Sequence, residues 1–168
     1  MPVNSPIVAS PVRLTPAEKR VAAVLVTGAS NIQGGKDLGM SPRTFAGHLV
    51  RIGRKVQITS RVGRPARAHA LLASGLVPPP LAPSPVPELT VGERRLLRAL
   101  AEHAETHDIA RAARVPGAEV RPWINALVDK VGADNDTHLV GLGHAWGLLD
   151  TAGSSSASSD DAPHETAE

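Results

Sequence analysis

Apolar residues recur at helical spacing in two stretches of the chain, and the two patterns coincide when one is shifted by 75 residues. Val21, Val24 and Leu25 follow Leu14-Thr15 in the first stretch, and Leu96, Leu97 and Leu100 follow Leu89-Thr90 in the second. Spacings of three and four put such residues on one stripe of an α-helix. Each stripe opens on a Thr with a Glu three residues later, Thr15 with Glu18 and Thr90 with Glu93, which is the spacing of a capping box. Further on, Ser41-Pro42 joins an N-cap residue to a proline at the first helical position, where its missing N–H does no harm. The helix predicted there carries Phe45, Leu49, Ile52 and Val56 on its inner stripe. Val120, Ile124, Leu127 and Val131 repeat that stripe at the same shift, and Ile52 aligns with Leu127 and Lys55 with Lys130 without a gap. An ungapped match over that length points to an internal repeat.

The pattern predicts an all-α chain of two tandem units of about four helices each, spanning residues 13–76 and 89–149. Between them residues 77–88 hold six prolines in twelve positions, which favours an extended, semi-rigid linker. Residues 1–12 are rich in Pro, Ser and Val without periodicity, and residues 150–168 are acidic and Ser-rich; both are expected to be disordered.

Charge divides along the same line. Arg13 to Arg67 contains eleven Lys or Arg against Glu18 and Asp37, a net of +9. Glu88 to Asp136 carries a net of −2, and Asp150 to Glu168 holds five acids and no Lys or Arg. The overall +2 therefore conceals a cationic first half, the distribution expected of a polyanion-binding unit. With Phe45, Leu49, Ile52 and Val56 inward, Arg43, Gly47, Arg51 and Arg54 fall on the outward face of one helix, flanked by Thr44, His48 and Lys55. The small Ala46-Gly47 step lets a large partner approach, while Arg and Lys supply charge for phosphates and forked donors for base edges. A merely solvated basic face has the same composition, so the two readings part on what the rest of the unit resembles.

The stretch LTPAEKRVAAVLVTGASN, DLGMSPRTFAGHLVRIGRKV and the SR that follows resembles the LuxR-type (GerE-like) helix-turn-helix domain over residues 14 to about 76. Leu14-Thr15, Glu18, Val21, Leu25, Gly28, Ser30-Asn31, Leu38-Gly39, Ser41, Thr44, His48, Ile52, Lys55 and Ser60-Arg61 carry the resemblance. It implies a four-helix domain whose third helix enters the major groove of double-stranded DNA and whose fourth helix often makes the dimer contact. The implied DNA-binding set is Arg43, Thr44, Gly47, His48, Arg51, Arg54, Lys55 and Arg61. Residues 63–74 become the fourth helix, with Ala66, Ala70 and Leu71 as dimer contacts. Two positions depart from the family pattern. Gly34-Gly35 stand where a pair of apolar core residues is usual, at a propensity cost of about 2 kcal/mol to the second helix. Phe45 is larger than the usual β-branched residue, which implies a repacked core.

The second unit resembles the same fold more loosely, as a degenerate copy. Its core stripe is intact, but Arg43 becomes Ala118, Gly47 becomes Pro122, Arg51 becomes Ala126 and Arg54 becomes Asp129. Phosphate neutralisation supplies much of DNA affinity, so such a face is expected to bind poorly. Pro122 is expected to start its helix late or to bend it. Trp123, at the position of His48, and Trp146 are candidate partner contacts or completions of a small core. The chain is thus expected to be a DNA-binding transcription regulator, either an intramolecular pseudo-dimer in which residues 63–74 and 136–149 pack together, or a homodimer. The alternative is a protein-interaction module gripping RNA polymerase or another regulator with only loose DNA contact.

Other chemistry finds little support. No cysteine is present, so disulfides and thiolate zinc sites are excluded. His103 and His107 share a helical spacing but lack a third ligand, and no phosphate loop or catalytic triad context stands out, so no cofactor, metal or enzymatic activity is expected. No apolar run approaches the length of a membrane span and the start lacks a secretory pattern, giving a cytoplasmic, nucleoid-associated expectation. The Ala, Arg, Val, Gly and Pro bias suggests GC-rich bacterial coding.

Overall fold

The first helix, α1 (Pro16–Leu25), begins where the capping box places it: Thr15 Oγ1 accepts from Glu18 N at 3.2 Å and Glu18 Oε2 accepts from Thr15 N at 2.8 Å. The computed structural model describes residues 11–59 and 61–149, and its regular elements there are all helical. After α1 come α2 (Asn31–Asp37), α3 (Pro42–Lys55) and α4 (Arg64–Ala73), then α5 (Val91–Glu102), α6 (Thr106–Ala113), a 3-10 turn (Gly117–Glu119), α7 (Val120–Val131) and α8 (Asp136–Ala145). Ser30 caps α2, and Ser41 caps α3 with Pro42 in its first turn. Thr90 and Glu93 form the capping box of α5. The residues expected to be disordered at 1–10 and 150–168, and Ser60 of the family motif, lie outside the described residues.

Several backbone features recur 75 residues apart. Left-handed residues stand at Gly39 and Arg114, after α2 and α6, and at Gln57 and Gly132, after α3 and α7. The rare left-handed conformation of two non-glycine residues at these four corners shows that the turns demand it rather than glycine offering it. Pro122 lies in the first turn of α7, where no i−4 partner is lost. The helix does begin late: Val120 opens it, and the 3-10 turn takes the place of the first turn of α3. The shift then shortens, because three residues separate the last left-handed corner from α8 (133–135) against six before α4 (58–63), excluding the helix starts themselves.

One hydrophobic core runs through the chain, from Leu14, Val21, Leu25 and Phe45 through Leu71 and Leu72 to Leu96, Leu97, Ile124, Leu139 and Leu142. The most extensive helix pair is α4 with α8, and α4 also packs on α5. Asn135, the N-cap of α8, donates through Nδ2 to Gly28 O at 2.8 Å, in the turn after α1. At the other end Gly63, Arg64, Pro65 and Ala66 line a cleft together with Leu100 of α5 and with His103 and Ala104 in the turn after it. Gly141 of α8 packs so closely on Pro80 and the Val26 carbonyl that no Cβ fits there.

The Pro-rich stretch holds no regular element and is anchored along its length. Val77 and Leu89 at its ends are buried, Pro80 rests on Gly141, and Trp146 Nε1 donates to Pro83 O at 3.0 Å. Trp146, a candidate contact for another molecule, is half-buried and holds this chain's own linker, the indole N–H finding a partner as buried tryptophans usually do.

Candidate nucleic-acid interface

The α2–turn–α3 corner is set by a size exchange in the core. A Cβ on Gly34 would stand 2.5 Å from Phe45 Cε2, and one on Gly35 would stand 2.7 Å from the Met40 carbonyl. The bare face of α2 therefore accommodates the oversized ring of Phe45, which is fully buried. Gly34 and Phe45 are two sides of one contact, while Gly35 lets the backbone of the turn before α3 approach. At the shifted positions the second half has Ile109 and Val120, a larger residue on α6 and a smaller one at the start of α7, both buried. The bulky and the small position have thus changed helix between the two halves.

With Phe45, Leu49 and Ile52 buried, α3 presents Arg43, Thr44, Arg51 and Arg54 to solvent. Ser41 Oγ accepts from Thr44 N at 3.1 Å and lies 2.9 Å from Thr44 Oγ1, fixing the start of the helix at the end where Arg43 stands. Gly47 leaves open space: nothing lies within 4 Å of where its Cβ would be. His48 beside it is half-buried, its Nδ1 buried without a hydrogen-bond partner among the described residues. Arg61 is exposed in the turn beyond α3. The exposed Arg43, Arg51 and Arg54 lie at spacings that keep them on one side of the helix, so their charges add at one surface.

Lys55 stands apart from this set. Its Nζ lies 2.6 Å from Glu18 Oε2 and 3.2 Å from the Arg13 carbonyl, tying the end of α3 to the start of α1. Burial of the Glu18 carboxyl pushes its pKa up, but Lys55 and the Thr15 N–H outweigh that and hold it below the ordinary carboxylate value. The same bridge recurs in the second half, where Lys130 Nζ reaches both Glu93 oxygens at 2.8 and 2.9 Å. Lys130 stands on a helix with no cation 75 residues on from Arg43, Arg51 or Arg54, which is the sequence signal that this lysine serves the scaffold.

Arg64, which sequence reasoning passed over, donates through Nη1 to Asn31 Oδ1 at 2.9 Å and through Nη2 to the Ala29 carbonyl. It thereby fastens the start of α4 to the start of α2. Of the remaining candidates on α4, Leu71 is buried in the core, and Ala66 and Ala70 are half-buried.

The outer face of α7 has a different character. Pro122, Trp123, Asn125, Ala126 and Asp129 are exposed, Trp123 at 44%. Trp123 lines a cleft with Thr90, Glu93, Leu96, Pro122 and Leu127. Arg121, the one cation of α7 before Lys130, has Nη1 3.3 Å from Asp136 Oδ2. His107 contacts Asp108 and Arg111 through its two ring nitrogens, and no cluster of three metal-ligating side chains occurs among the described residues. Nor is any helix there long and apolar enough to cross a membrane.

No curated protein matches the chain. No solved structure matches it either. Residues 12–64, which run from just before α1 to the first residue of α4, match the family model of GerE, the bacterial regulatory proteins of the luxR family. The helical corner, its capped third helix and its cationic outer face thus fall within the stretch, residues 12–64, that is similar to the LuxR-family model.

Proposed function

We propose that the chain is a DNA-binding transcription regulator in which α3 reads the major groove and the second half is a degenerate copy of the same domain, retained for packing. The observation that carries the first part is the exposed row Arg43, Arg51 and Arg54, set opposite a buried stripe on the third helix of a LuxR-family match. Guanidinium groups on such a row neutralise phosphates and offer bidentate donors to guanine edges. Gly47 leaves room between them for the groove wall. Lys55 takes a positioning role in this reading, since its ammonium is already committed to Glu18.

Support for the second part comes from recurrence. The capping boxes, the left-handed corners and the Glu–Lys bridge all return in the second half. The fourth helices meet through α4 and α8, whose His69 Nδ1 and His144 Nε2 lie 2.9 Å apart. The start of α8 is bonded to the turn after α1, and the start of α4 borders one cleft with the turn after α5. That reciprocal arrangement is what a dimer of heads paired by their fourth helices looks like when both are written into one chain.

The test is binding of a selected duplex across a salt series. Arg43→Ala with Arg51→Ala is expected to cost about 1–3 kcal/mol per base-contacting arginine, and to lower the slope of log K against log salt by roughly 1 for each phosphate no longer neutralised. Unchanged affinity and slope sink the reading. A protein-contact role for α7 is favoured by the exposed ring of Trp123; Trp123→Ala then abolishes capture of a partner while leaving DNA binding intact.

A further inference from the structure

We infer that the chain engages DNA as a monomer, on an asymmetric element that contains one specified half-site. The inference rests on the DNA-reading role of α3 and adds the kind of duplex it takes.

Two observations carry it. The first is that the surface with which a fourth helix would pair with another copy is consumed inside the chain. Ala68, Leu71 and Leu72 of α4 and Leu139, Val140 and Leu142 of α8 are buried, and α4 is covered by α5 as well as α8. Presenting either helix to a second molecule requires opening the joint core and unseating Pro80 from Gly141 and the linker from Trp146.

The second is that the two outward faces ask different things of a duplex. Where α3 has Arg43, Arg51 and Arg54, the second half has Ala118, Ala126 and Asp129, all exposed. Paired heads read half-sites about one helical turn apart, and an inverted repeat offers the same base edges to both. Here the second half-site would meet Ala118, Ala126 and Asp129 at those three positions, and Arg121, the one cation nearby on α7, is paired with Asp136, so the face offers far less to phosphates and guanine edges than α3 does. Symmetric DNA therefore brings this chain nothing that a single half-site does not.

The experiment is selection of duplexes from a random library by the full chain, followed by native mass measurement of the complex. The expected result is a motif confined to one half-site without an inverted copy, and one chain per site. A synthetic inverted repeat of that motif is then expected to bind each chain independently, raising apparent affinity by no more than the statistical factor of about two. A palindromic motif, or two chains binding the inverted repeat cooperatively, overturns the inference while leaving the DNA-reading role standing. Selection of no duplex at all overturns both, and is distinguished by the absence of any enriched motif.

Discussion

The outer faces of α3 and α7 stand over nearly the same inner stripe and differ almost completely. Phe45, Leu49 and Ile52 are buried on one and Val120, Ile124 and Leu127 on the other, but arginines cover the first face and alanines, a proline, a tryptophan and an aspartate the second. Core positions answer to packing, where each missing methylene leaves a cavity; exposed positions answer only to what touches them from outside. The same inner stripe can thus carry quite different outer faces, and the difference between them isolates the positions that the fold leaves free.

The sharpest way to break the comparison is to write the α7 face onto α3. Arg43→Ala, Arg51→Ala and Arg54→Asp together are expected to lower specific DNA affinity by at least about a hundredfold, by removing three phosphate or base contacts and adding a like charge. Since all three side chains are exposed, each change is expected to move the unfolding midpoint little, within about 0.5 kcal/mol. Loss of folding together with binding would falsify the division between face and core.

Next in size is the exchange of volume beneath the face. Phe45→Val alone is expected to cost about 2–4 kcal/mol through the cavity it leaves, and Gly34→Ile alone about 1–3 kcal/mol or more through overlap with the ring. Combined, they install the second half's Ile109 and Val120 arrangement, so the double variant is expected to recover much of the loss. Urea unfolding of the four proteins gives the coupling directly, and additive losses would mean that the ring and the glycine are independent.

The two Glu–Lys bridges differ in burial, which ranks a third pair of variants. The Glu18 side chain is 4% exposed and that of Glu93 23%. Lys55→Met strands the more buried carboxylate, at about 1–2 kcal/mol, whereas Lys130→Met at the more exposed bridge is expected within about 1 kcal/mol. Because Glu18 titrates below the ordinary carboxylate value in the folded chain, the bridge's contribution is present above that ordinary value and is lost as pH falls through the folded one. Thermal melts from pH 7 to 3 should therefore show a shallower acid slope for Lys55→Met.

The smallest expected effect lies at the joint between the halves. Burial holds the His69 imidazole below its ordinary value of 6.5, Glu102 opposing and Arg98 assisting, with His144 facing it. The folded chain takes up this proton less readily than the unfolded one, so stability is full above about pH 6.5 and declines as pH falls from there to the folded value. His69→Gln is expected to flatten that part of the melting curve.

What could be read from the sequence was local or periodic. Thr15, Thr90 and Ser41 announce their helices because a cap bonds within three residues, and the inner stripes follow from the helical repeat. Contacts between distant residues were harder. Gly34-Gly35 and Phe45 looked like separate anomalies because their meeting is a property of the folded corner, although Ile109 and Val120 already carried the reverse of the exchange. Lys55 was grouped with the DNA-facing cations because it flanks them on the helix, while its long stem lets the ammonium turn back to Glu18. The proline content of residues 77–88 argues against a helix there but does not reveal that Trp146 and Gly141 hold the stretch, since those contacts have no periodicity to betray them.

The packing of α4 on α8 also bears on how occupancy answers to the amount of regulator. Heads that must find one another in solution fill their sites as the square of a scarce concentration, and a threshold follows. When the partner is covalently present, its effective concentration is set by a linker and not by expression. On the proposed DNA-reading role, a chain built in this way responds in simple proportion to its own abundance, and any steepness in its output is then expected to come from the number or arrangement of its sites along the DNA.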